Sequence, residues 1–104
     1  HYNMTPEQMQ QNHTRWVQWL GDGVQKGWVA DVGDGLGGDA RVVGPKRLVT
    51  DGPLMEAKEV VGGFTIVQAE SIDQAAELAK GCPSLDLGGS VEVRPLWGFS
   101  LNTP

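Results

Sequence analysis

Two helix-start signals constrain this chain more than any other feature, because they set where its longest periodic segments begin. Thr5-Pro6-Glu7-Gln8 joins an N-cap threonine, a proline at the first helical position and a glutamine three residues after the cap. Such a capping box satisfies amide donors that a helix leaves unpaired at its start. Met9, His13, Trp16, Val17, Leu20 and Val24 then recur at spacings of three or four, which predicts a helix with that stripe as its buried face, ending at Gly27. Ser71-Ile72-Asp73-Gln74 is a second box, opening a helix that runs through Lys80 and stops at Gly81, with Ile72, Ala75, Ala76 and Ala79 inward.

Between and after these helices the pattern is that of short strands. Trp28 to Val32 is β-prone, and Gly33 to Asp39, mostly Gly and Asp, predicts a flexible loop. Arg41-Val42-Val43 and Leu48-Val49-Thr50 flank Gly44-Pro45-Lys46-Arg47, a hairpin around a proline turn. Phe64 to Ala69 is the clearest strand, Cys82 to Ser90 a loop, and Val91 to Trp97 alternates apolar and charged residues as a last strand. The expected order is helix, strand, hairpin, strand, helix, strand. That is an α+β, ferredoxin-like split βαβ without its opening strand, with an antiparallel sheet carrying both helices on one face.

A length of 104 residues fits a single domain, 1–104. The formal charge of −5 and pI near 4.8 argue against nucleic acid and anionic membranes as partners, since the eight basic residues are scattered and only Lys46-Arg47 adjoin. A single cysteine, Cys82, excludes an internal disulfide and fits a reducing, cytoplasmic setting. No apolar run is long enough to span a membrane, and two histidines with one cysteine cannot make a structural zinc site in one chain. Gly33-Asp34-Gly35-Leu36-Gly37-Gly38 has the formal spacing of a dinucleotide loop but leads into a β-prone run instead of a helix, so that reading fails. No cofactor is implied.

From Val49-Thr50-Asp51-Gly52-Pro53-Leu54 through Glu56-Ala57-Lys58-Glu59 the chain resembles the DGPF-motif branch of the YCII-related family, with Leu54 in place of the motif's phenylalanine. The likeness extends over Gly62-Gly63-Phe64, the Ser71 helix, Lys80-Gly81-Cys82-Pro83 and Gly88 to Pro95, and back over Thr5 to Trp16 and Gly27-Trp28-Val29. The resemblance implies a ferredoxin-like domain that pairs into a dimeric α+β barrel with clefts between sheet and helices. Family members open with an apolar strand, whereas this sequence opens at His1 with polar residues. Either that strand is missing from it or this member closes its sheet differently. Relatives in the wider group carry a His–Asp pair suited to catalysis, and members of the branch are encoded near alternative sigma factors.

Each candidate site residue has a plain structural reading beside a functional one. Asp51 starts a Gly-Pro turn and is either an Asx-turn residue or a carboxylate presented at a cleft. His13, on the helical stripe, is either a half-buried histidine or a proton shuttle. A His13–Asp51 pair without a nucleophile supports proton transfer but no Ser or Cys triad. Gly52, Pro53, Glu56, Lys58 and Glu59 either line a polar pocket or form a solvated turn. Arg94 is an anion anchor or half of an exposed cross-strand ion pair. Trp16 and Trp28 read as core, while Trp19, Trp97 and Phe99 read as interface aromatics. Two functions follow: a homodimeric small-molecule-binding domain, with cofactor-free proton transfer if it is an enzyme, or a non-catalytic regulatory or protein-interaction module. The residues leave open whether it is an enzyme.

Overall fold

A computed structural model describes residues 4–52 and 61–96. The elements are α1 (Pro6–Lys26), β1 (Val29–Gly35), β2 (Arg41–Val43), β3 (Val49–Asp51), β4 (Gly63–Val67), α2 (Ile72–Ala79) and a 3-10 helix over Pro83–Leu87. Two helices with antiparallel strands make the chain α+β, consistent with a ferredoxin-like fold. Its contacts divide into two compact units, one formed by the residues up to Ala30 and from Val67, the other by Asp31–Ile66.

In the first unit both expected capping signals operate. The Thr5 hydroxyl accepts from the Gln8 amide at 3.1 Å, and the Gln8 side chain accepts from the Thr5 amide at 2.9 Å. At the other end Gly27 closes α1 in the left-handed region, with the Trp28 amide reaching back to the Gly23 carbonyl at 3.0 Å, a Schellman arrangement. Ser71 caps α2 through the Gln74 amide at 3.1 Å, but the Gln74 side chain accepts from Glu70 rather than from Ser71, so the second box is shifted by one residue.

The buried face of α1 is not the expected stripe. Met9, Val17 and Val24 are half exposed or more, and His13 is exposed, whereas Asn12, Trp16, Trp19 and Leu20 are partly covered and Gly23 is buried. The 3-10 helix sets this rotation. The Asn12 amide group donates to the Pro83 carbonyl at 3.2 Å, and Arg15 pairs with Asp86 at 2.8 Å. Trp19 stands edge-on to Trp16, with centroids 5.7 Å apart, and tilted against Trp28 at 5.3 Å. Glycine admits these rings: a Cβ at Gly23 would come within 2.7 Å of Trp28, and one at Gly81 within 2.8 Å of the Trp19 indole nitrogen. Trp19 thus takes part in an intrachain cluster while remaining only partly covered. Among the described residues, the buried side chains are those of Cys82 and Pro83.

The strands form two two-stranded sheets, β1 with β4 and β2 with β3. The bonds from Leu36 N to Gly62 O and from Gln68 N to Trp28 O, both 2.7 Å, run in the antiparallel sense. Of the Gly/Asp segment expected as a loop, Gly33 to Gly35 instead prolong β1, while residues 36–39 lie outside any helix or strand as expected. Backbone pairing needs no side chains, and Gly33 takes φ +71° against Phe64 while the Thr65 hydroxyl donates to the Val32 carbonyl at 3.0 Å. The β2–β3 hairpin forms as expected, moved by one residue on its second strand, with Arg41 opposite Asp51, Val42 opposite Thr50 and Val43 opposite Val49.

Two further expectations are corrected. The loop after Cys82 contains the 3-10 helix, started by Pro83 and closed at Gly88. The last strand is absent: residues 91–96 join no ladder among the described residues. Alternation alone cannot make a strand without a partner edge, and Pro95 withholds an amide from one. Trp97 and Phe99 lie outside the described residues.

Candidate functional site

The β2–β3 hairpin carries the one expected catalytic residue that the structure ties to a charged neighbour. Its turn, Gly44-Pro45-Lys46-Arg47, is closed by the Arg47 amide on the Gly44 carbonyl at 2.9 Å and by the Gly44 amide on the Leu48 carbonyl at 2.8 Å. Proline presets φ for the second turn position. Counting outward from the 44–48 pair brings Arg41 opposite Asp51. There the Arg41 Nε lies 3.2 Å from the Asp51 Oδ1, and Arg41 Nη1 donates to the Ala40 carbonyl at 2.7 Å. The same Ala40 carbonyl accepts from the Gly52 amide at 2.9 Å, while Gly52 turns the chain at φ +84°. Arg41, Asp51 and Gly52 are thus held together at the open end of the hairpin.

The Asp51 side chain is 93% exposed, so this ion pair is screened and worth about 0.2–1 kcal/mol. Its value is positional: a carboxylate and a guanidinium stand side by side facing solvent. The Asx turn weighed for Asp51 is not what holds it, because the residue two positions on is Pro53, which has no amide hydrogen to donate. Asp31 makes such a turn instead, accepting from the Gly33 amide at 2.8 Å.

Side chains alternate across a strand, so the hairpin has two distinct faces. Arg41, Asp51, Val43 and Val49 share one, with both valines more than half exposed. Val42, Thr50 and Leu48 share the other, where with Gly44, Pro45 and Lys46 they line an open depression of about 290 Å³.

Of the other expected site residues, Gly52 adjoins Asp51 in this arrangement, while His13 and Arg94 belong to the first unit. His13 is exposed on α1 in the first unit, with no hydrogen bond or ion pair among the described residues. Asp51 belongs to the second unit. Arg94 pairs with Glu92 at 3.5 Å, two residues away on its own segment rather than across a sheet, and both side chains are more than three-quarters exposed. Pro53, Glu56, Lys58 and Glu59 lie outside the described residues. Among those described, no three His, Cys, Asp or Glu side chains are grouped to hold a metal ion, and no helix is long and apolar enough to cross a membrane. Arg41 was not among the expected site residues, although hairpin register counted from the Gly-Pro turn points to it.

The profile of the YCII-related domain family matches residues 4–100, spanning both units. An uncharacterised protein of Rhizobium meliloti (strain 1021) is 38% identical over 52 residues. That alignment covers 49% of this chain and 42% of the relative, so the chain spans less than half of that protein's length.

Proposed function

Since the chain belongs to the YCII-related domain family, we propose that it is a cytoplasmic, homodimeric small-molecule-binding domain of the DGPF-motif branch, with its ligand beside the Asp51-Gly52 turn. One observation carries this reading: the hairpin face that presents the Arg41–Asp51 pair also leaves Val43 and Val49 66% and 62% exposed. Burying an apolar side chain contributes roughly 1.5–3 kcal/mol, so these valines favour a covering surface. A second copy seated on them walls in the charged pair beside them. A carboxylate next to a guanidinium then offers a small polar ligand one acceptor and one fixed set of donors. Any catalysis by such a site is proton transfer without a cofactor.

Native mass spectrometry of the gently purified protein tests this directly. The expected species is a dimer carrying a small molecule that Asp51→Asn loses. A monomer with nothing bound overturns the proposal and favours the rival, a regulatory or protein-interaction module, for which the same exposed valines supply the docking surface. The His13–Asp51 couple is a separate question, answered by NMR titration of His13 in the Asp51→Asn variant. A lowered His13 pKa establishes the couple, and an unchanged one removes His13 from the site.

A further inference from the structure

The hairpin's opposite face is a second binding site, and we propose that it takes a small organic anion with an apolar body. Its floor is apolar: Val42, Leu48 and Pro45 surround Gly44, whose missing side chain opens the space. At about 290 Å³ the depression lies just below the roughly 300–1,000 Å³ usual for small-molecule sites. It therefore suits a short apolar body, not a large one.

The charge at its rim points to the ligand's sign. Seven lysines and arginines fall among the described residues, and five of them are paired: Arg15, Lys26, Arg41, Lys80 and Arg94 each have a carboxylate within 3.5 Å. The two left without a carboxylate are Lys46, which lines the depression, and Arg47, which follows it. This is the only place in the sequence where two basic residues adjoin, in a chain whose net charge is −5. Arg47 moreover sits at φ +63°, the left-handed region, where a side chain is strained by about 1–2 kcal/mol and glycine is the ordinary occupant. Two neighbouring cations repel each other until an anion lies between them, and an apolar body then finds the uncharged floor beside that anion. A long anionic polymer or a membrane needs many basic groups, whereas among the described residues of this net negative protein only these two lack a carboxylate partner, so the occupant is small.

Octanoate is the probe, with octanol as its uncharged match, each titrated into the isotope-labelled full chain and followed by NMR. Octanoate is expected to shift the Val42, Leu48 and Thr50 resonances saturably, with octanol binding about tenfold more weakly. Lys46→Gln with Arg47→Gln should weaken octanoate by about tenfold or more, because charge-assisted contacts are lost. Gly44→Val tests the cavity independently of the charges: Gly44 does not have a positive φ, and a Cβ there meets nothing nearer than the Leu48 carbonyl at 3.7 Å. That variant should keep the hairpin's amide spectrum yet lose octanoate. Equal affinity for octanol, full affinity in the double variant, absence of saturable shifts, or shifts produced only by an acidic peptide would each overturn the proposal. Asp51→Asn reports on the other face, so failure of one site is distinguishable from failure of the other.

Discussion

Gly33 shows how much a single residue decides here. A Cβ at this position would run into the Phe64 carbonyl, and the backbone is already at φ +71°. Gly33→Ala should lower unfolding free energy by at least about 2 kcal/mol, seen as a reduced urea midpoint with an unchanged slope. Arg47 presents the opposite case, a side chain kept where glycine fits better. Arg47→Gly should raise stability by up to about 1 kcal/mol in thermal unfolding, the relief of left-handed strain less the added freedom of the unfolded chain. The same variant should weaken octanoate binding. Stability and recognition then change in opposite directions at one residue, the signature of a position held for function.

Among elements, α1 depends most on its start. Thr5→Ala removes the hydroxyl that receives the Gln8 amide and should cost about 1 kcal/mol, with faster hydrogen exchange confined to the first turn of the helix. That cap was legible from residues alone because capping is local, as were the Gly27 stop and the Gly-Pro hairpin turn. The buried face was not. Periodicity pointed to one stripe, and what turned the covered face away from it was non-local: Pro83 taking the Asn12 amide, Asp86 taking Arg15, and Trp28 filling the notch at Gly23. Residues 91–96 failed for the complementary reason, since their alternation is local but a strand exists only with a partner. In the candidate site, Asp51 and Gly52 were legible as a turn and Lys46-Arg47 as an isolated basic pair. Arg41 required the strand register, and the depression required knowing which residues share a face.

The apolar surface bears on the molecule as a whole. Val43, Leu48, Val49, Val61 and Phe64 are each more than half exposed, as are Val17 and Val24 on α1. If Val43 and Val49 meet a second copy, Val49→Asp should turn the dimer into a monomer in size-exclusion chromatography at micromolar concentration. Its circular dichroism should be unchanged, because most of the side chain is exposed within its own chain. The division of the chain also has a consequence for descent and engineering. The chain leaves one unit after Ala30 and re-enters it at Val67, close to where the Trp28 carbonyl receives the Gln68 amide. A detour whose two ends are already neighbours can lengthen cheaply, each doubling adding only about 0.6 kcal/mol to the cost of closing it. The hairpin and both of its faces are therefore a replaceable cartridge, open to exchange while the tryptophan-packed body stays as it is.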